Sequence, residues 1–406
     1  MRIALNVIIV MLLTCFPTTA SHAAAHFEAT VVDAQTRQPL PFASIYVSRT
    51  SSTISNAVGT FSIKCDSADV LRISYVGYKT LTIRASRLPR QVGLQPMENQ
   101  LNEVVVRPVD LKKLIRKTTT ETRRQLRKYS YRQSSFFYRQ ITFADSTCIE
   151  LMEAFLQAKS AVYLQDMFLQ KGRFAGIQPD SLHRYAFWTN FFTVSELPML
   201  TRYDIYNNTD AKPLTRNYED FYDLDYDVIF DDTGRLVVVH FIPKPYVTDP
   251  ILDVKLYIDE KTYRLRKMEG EKRYVPVVHK EYEIEMQDTL EMIKITKSQD
   301  FQNFNLTVNM TEERGFLEVQ SVYIDSQYMK YGKLFNTRSI LFNVGDQTGS
   351  KEKKLRVYGN GDLHNYILEQ GYDQQFWHDN EVIRRTPVEQ KVMELFEHQN
   401  LFGVFE

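Results

Sequence analysis

The sequence predicts a mainly β chain in two parts: a small β-sandwich, then a basic linker helix leading into a larger antiparallel β-rich region that ends in a helix. Three observations predict it. Apolar residues alternate with polar ones over short runs, with turn residues between the runs. Aromatic residues make up 13% of the chain, with 24 Tyr and 25 Phe, a usage that favours strands. Several alternating runs also fall in pairs around turn-forming residues, as antiparallel hairpins require. The 406 residues suggest two or three domains, and 43% apolar against 25% charged residues is globular usage.

The first element is a targeting segment, residues 1–25. Arg2 is the only charge before a run from Ile3 to Phe16 that is apolar apart from Asn6. Pro17 ends that run, and Ala23-Ala24-Ala25 supplies small residues for cleavage, so the mature chain is expected to start near His26. Leu12-Leu13-Thr14-Cys15 also loosely resembles a lipobox, which makes an acylated Cys15 the alternative. No later run is long and apolar enough for a membrane helix. The expected location is therefore the periplasm or the outer membrane.

Residues 26–96 carry the sandwich pattern. Ala43, Ile45 and Val47 share one face, as do Phe61, Ile63 and Cys65, then Leu71, Ile73 and Tyr75, then Leu81 and Ile83. Cys65 continues such an alternation, so it is expected to be a buried free thiol rather than bridged to Cys148. Asp33, Thr36, Pro39-Leu40, Ala43, Ser55 to Phe61 (SNAVGTF) and Ser74 to Thr80 (SYVGYKT) resemble the carboxypeptidase-regulatory-like domain. That resemblance implies a seven-stranded transthyretin/Ig-like sandwich. Ala29 departs from it, since the family usually opens with glycine. Residues 101–108 (LNEVVVRP) resemble the tail of this domain in TonB-dependent outer-membrane transporters.

Neither of the large machines that carry such a domain fits. A zinc carboxypeptidase needs His-x-x-Glu plus a distant third histidine. His378-Asp379-Asn380-Glu381 has the first spacing, but only His398 follows it, on an expected helix. A transporter barrel of about 22 strands exceeds the chain left after Pro108.

Residues 97–130 form a linker and a basic helix that Asp110 caps. Leu111, Leu114, Ile115, Thr118, Thr122 and Leu126 define one face. Lys112, Lys113, Arg116, Lys117, Arg123, Arg124, Arg127 and Lys128 define the other. That basic face suits either solvent or anionic lipid.

Residues 131–406 read as mostly β. SSFFYRQITF (134–143) is a strand, and IELMEAFLQAKSAVYLQ (149–165) is compatible with a helix or a strand. Residues 223–230 and 235–242 flank the turn Asp231-Asp232-Thr233-Gly234, and residues 253–259 and 263–270 form a second hairpin. Thr386, Pro387 and Glu389 start a final helix whose stripe is Val388, Val392, Leu395 and Phe396. The second hairpin resembles the centre of half-barrel envelope proteins, a class that includes lipoprotein carriers. The order sandwich, basic helix, FFYRQ and long β-region resembles uncharacterised Gram-negative envelope proteins, in which Gln140 is usually Glu.

No catalytic, cofactor-binding or metal-ligating residue is assigned, and the ligand-binding residues are unknown. Asp223, Asp225 and Asp227 lack the glycine and glutamate of a calcium loop, because Val228 and Gly234 occupy those positions. The aromatic stretch 185–208 suits packing, sugar stacking or an apolar ligand. Fifty basic against fifty acidic residues give no field favouring nucleic acid. The expected function is a non-enzymatic exported envelope protein, a binding or scaffold component at the periplasmic side of the outer membrane whose partner is an envelope protein, glycan or lipid, with peripheral contact to that membrane. The alternative is a half-barrel carrier of lipid or lipoprotein, and a third class is a hydrolase with no linear motif.

Overall fold

The computed structural model describes residues 24–48, 51–97, 108–129, 133–160, 164–177, 212–247, 251–283, 292–313, 316–330, 333–345, 355–356 and 363–403. Residues 1–23, most of the linker and the aromatic stretch 185–208 lie outside these.

Seven short strands build the first unit: β1 (Ala25–Asp33), β2 (Ser44–Ser48), β3 (Ser51–Ile54), β4 (Thr60–Cys65), β5 (Val70–Ser74), β6 (Leu81–Arg84) and β7 (Gln91–Leu94). They form two sheets, β4-β1-β7 and β3-β2-β5-β6. The inward residues of the alternating runs meet between the sheets, with Val31, Ala43, Ile45, Phe61, Leu71, Ile73 and Val92 buried. Ala29 sits within β1 opposite Phe61 and is part of this core. Gly59 has φ 78°, and a Cβ there would meet Val31 O at 2.7 Å, so the turn into β4 admits only glycine.

The helix α1 (Leu111–Tyr129) starts where Asp110 Oδ1 accepts the Lys113 N–H at 3.0 Å. Leu114, Ile115, Thr118, Thr119, Thr122 and Gln125 are buried along its inner side.

The second unit is one large antiparallel sheet. Its strands are β8 (Gln133–Ala144), β9 (Thr147–Ser160), β10 (Leu164–Gly176), β11 (Tyr222–Asp231), β12 (Gly234–Pro243), β13 (Leu252–Asp259), β14 (Leu265–Glu283), β15 (Met292–Glu313), β16 (Phe316–Lys330), β17 (Lys333–Gly345) and the two-residue β18 (Leu355–Arg356). The order β11-β12-β13-β14-β15-β16-β17-β8-β9-β10-β18 leaves two edges, so the sheet is open rather than a closed barrel. Asp231 pairs with Gly234 across the expected hairpin turn. Of the ambiguous segment 149–165, residues 149–160 belong to strand β9 and residues 164–165 open β10. Along β8 and β9 nearly every residue is buried, because both faces of the sheet are covered there.

Two further helices, α2 (Leu363–Leu368) and α3 (Gln374–Asp379), precede the last, α4 (Pro387–His398). Thr386 and Glu389 form the expected capping box. The apolar stripe of α4 differs from expectation. Val392, Met393 and Phe396 are buried, whereas Val388 and Leu395 are 54% and 46% exposed. The covered surface is narrow, so a stripe two residues wide is enough to seat the helix. No described helix is long and apolar enough to cross a membrane.

Candidate functional site

The large sheet uses its two faces differently. On the outer face lie the sandwich and the C-terminal segment. Ile54 of β3 packs with Phe137, Ile340, Phe342, Val344, Trp377 and Ile383. Phe42 meets the Tyr323 ring at 4.5 Å, and Thr53 Oγ1 donates to Val382 O at 2.7 Å.

Beneath α4 on this outer face, Glu153 accepts from Arg139 Nε at 2.6 Å, from Arg173 and from Arg385 Nη2 at 3.4 Å. Burial opposes ionisation of Glu153, but the charges of Arg173, Arg139 and Arg385 outweigh it and hold the carboxyl well below the usual range. Arg139 Nη2 also donates to Ile383 O at 2.9 Å, and Arg173 lies 4.6 Å from the Trp377 ring centre. This buried network fastens the C-terminal segment to the sheet.

The inner face is apolar over most of its width. Phe136, Met152, Leu156, Phe174, Val237, Val239, Phe241, Val254, Leu256, Ile258, Phe304, Leu306, Val308, Ile324 and Leu341 form one continuous cluster across its strands. Among the described residues, the segments packed on it include α1 through Leu114 and Ile115, residues 214–222, and α2 through Leu363 and Ile367.

A buried polar island interrupts this face near one end. Glu150 Oε1 accepts from Gln140 Nε2 at 3.0 Å and lies 2.7 Å from His364 Nε2; Oε2 accepts from Thr142 Oγ1 at 2.5 Å. The Tyr138 hydroxyl donates to Gln140 Oε1 at 2.5 Å, and the Thr142 and Thr337 hydroxyls are 3.0 Å apart. The His364 ring stands edge-on to Phe174, with centroids 4.6 Å apart. Three donors on one buried carboxylate satisfy it within a low-dielectric surface, where an unpaired charge would be expensive.

The residues singled out from the sequence do not converge. His378 is exposed beside Asp379 at 3.1 Å, whereas Glu381 reaches Arg385 and Arg384, each at 3.5 Å. Asp223, Asp225 and Asp227 lie exposed on the edge strand β11, where Asp225 and Asp227 accept the next residue's N–H. Both cysteines are free and buried. Gln140 drew notice only as a departure from a resemblance, and Glu150 and His364 drew none. They stand 214 positions apart and share no linear motif.

Fold and site together define a two-part β protein: a small sandwich fixed to the outer face of an open sheet whose inner face is apolar with one polar island. Over residues 28–106 the chain matches the family described as the CarboxypepD_reg-like domain, the family expected for the sandwich, and the match runs on past the sandwich into the linker. A search of curated proteins finds no match. Among solved structures, the chain is similar to a LolA superfamily protein from Nitrosomonas europaea, at 10% identity and a TM-score of 0.21, covering 58% of this chain and 94% of that one. It is also similar to a DUF1329 family protein from Desulfovibrio piger, at 10% identity and a TM-score of 0.20, covering 58% and 95%.

Proposed function

We propose that this chain is a non-enzymatic, exported envelope protein that binds an apolar ligand, such as the acyl chain of a lipid or lipoprotein, against the inner face of its large sheet. The observation that carries the reading is the continuity of the apolar cluster across that face. Ligand sites of this kind are mostly apolar, and this face is apolar apart from the internally satisfied island around Glu150. A carboxylate whose oxygens already accept from Gln140, His364 and Thr142 is poorly placed to act as a general base, which favours binding over hydrolysis. The N-terminal run and Ala23-Ala24-Ala25 support export.

The test is native purification from envelope fractions, with mass spectrometry of what co-purifies and N-terminal sequencing of the exported chain. An acyl-bearing molecule near one per protein, on a chain starting near His26 or acylated at Cys15, is expected. A retained Met1 in the cytoplasm would remove the export reading. A purely polar ligand would remove the carrier reading.

A further inference from the structure

The burial of α1 fixes its opposite side outward, and that side is strongly cationic. Lys112, Lys113, Arg116, Lys117, Arg123 and Arg124 are all exposed. Some of this charge is answered locally. Lys112 pairs with Glu219 at 2.9 Å, Arg124 pairs with Glu121, and Lys117 sits 4.6 Å from the Tyr263 ring centre. Lys113, Arg116 and Arg123 have no carboxylate partner among the described residues. Asp110, the nearest acid in sequence to Lys113, accepts its backbone N–H, and Glu121, the nearest to Arg116 and Arg123, accepts from Arg124, Gln125 and Arg264.

A second observation lies beside the start of the helix. Glu219 bridges two segments, its carboxylate to Lys112 and its carbonyl to Lys244 Nζ at 2.5 Å. Next to Lys244, Tyr246 projects with 68% of its surface exposed, its hydroxyl donating to Asp220 O at 2.7 Å. An exposed ring bordering a cationic surface is the combination that favours the headgroup level of a bilayer, where the ring is half-solvated and the cations meet phosphates. The helix cannot insert its own apolar side, because Leu114 and Ile115 are committed to the inner-face cluster. Contact would therefore be peripheral and electrostatic.

We propose that the outward face of α1, with Lys244 and Tyr246, docks the protein on an anionic bilayer surface. This deepens the carrier reading by naming where cargo would be exchanged, and it rests on that reading only for its purpose.

The experiment is co-sedimentation of the purified protein with vesicles of phosphatidylcholine alone or with about a third phosphatidylglycerol, at low and high salt. Parallel measurements use Lys113→Glu/Arg116→Glu/Arg123→Glu and, separately, Tyr246→Ser. Binding is expected only to the anionic vesicles, falling as salt rises. The triple variant should bind about tenfold more weakly or worse, with its thermal transition unchanged. Equal binding to both vesicle types, no binding to either, or an unaffected triple variant would overturn the proposal. A fluorescent fatty-acid probe, titrated without vesicles, separates the two readings. Loss of probe binding with vesicle binding intact would remove the cargo reading and leave the docking surface standing.

Discussion

His364 Nε2 lies 2.7 Å from Glu150 Oε1, so a residue on a one-and-a-half-turn helix is tied to β9, near one end of the large sheet, through a buried carboxyl group. Removing the imidazole leaves Glu150 to Gln140 and Thr142, in a buried site that water reaches poorly. His364→Ala should therefore cost roughly 2–4 kcal/mol, more than an exposed pair would. Urea unfolding of the two proteins measures it. A loss below about 0.5 kcal/mol, the range of surface substitutions, would mean that the contact does not hold α2 in place.

The same helix rests on a notch in β10. A Cβ at Gly172 would meet Ile367 Cγ1 at 2.3 Å, and Ile367 is itself buried. Gly172→Ala should destabilise the protein by about 1–3 kcal/mol through overpacking. Combining it with Ile367→Ala should cost less than the sum of the two single changes, because each makes room for the other. Additive losses would show that α2 does not sit on Gly172.

The contrast between these two anchors and the strands shows what the sequence could and could not display. Hairpins such as 223–230 with 235–242 were legible, because alternation and a turn at Asp231–Gly234 are local signals. Residues 149–160 were ambiguous because the sandwich and the C-terminal segment cover one face of β9 while the inner cluster covers the other. A strand buried on both sides loses its period of two. Val388 and Leu395 misled for the opposite reason: helical spacing was present, but only part of the stripe meets another surface. The polar island was hidden, since Gln140, Glu150, Thr337 and His364 come from four separate segments and converge only through sheet order and the placement of α2.

Glu153 predicts how acid acts on the fold. Its folded-state carboxyl is held below the unfolded value of about 4.3, so its stabilisation is present above that pH and is lost as pH falls through the folded value. Glu121 behaves alike: hydrogen bonds from Arg124 lead the effects that bring it down to about 2, placing its window between about 4.3 and about 2. Urea midpoints should fall steadily below about pH 5. Glu153→Gln should lose roughly 3–5 kcal/mol near neutrality, because three arginines remain around a neutral side chain. It should also show a shallower decline in acid. A variant with the native pH slope would exclude Glu153 as a source of acid sensitivity.

The two thiols should be silent while the protein is folded. Burial, with the charges of Asp69 and Asp66, pushes Cys65 up to about 11. Burial raises Cys148 to about 12, against a weaker opposing bond to the Glu150 backbone. Since the thiolate is the reactive form, iodoacetamide at pH 8 should label neither within an hour and both in denaturant. Labelling of either under native conditions would indicate local opening at β4 or β9.

Ile54 makes the two units unequal partners. The sandwich core draws only on residues from Phe27 to Leu94, so a fragment of residues 26–107 retains every side chain of that cluster. The large sheet is different: Ile54, fully buried, fills a site formed by Phe137, Ile340, Phe342, Val344 and Trp377, and a fragment starting at Asp110 lacks it. We expect the first fragment to unfold cooperatively with its own transition. The second should keep its β signal but expose an apolar patch, binding a hydrophobic dye such as ANS and self-associating. In the full chain, Ile54→Ala should cost about 2–4 kcal/mol, acting on the transition of the large unit rather than that of the sandwich. Gly77→Val gives the complementary readout. Gly77 has φ 87° at a sandwich turn, and a Cβ there would touch only Ile229 Cδ1, at 3.4 Å, so the strain falls mainly on the first unit. If Ile54→Ala and Gly77→Val lower one common transition equally, the sandwich and the sheet fold as a single cooperative body and the division near residues 97–110 has no thermodynamic meaning.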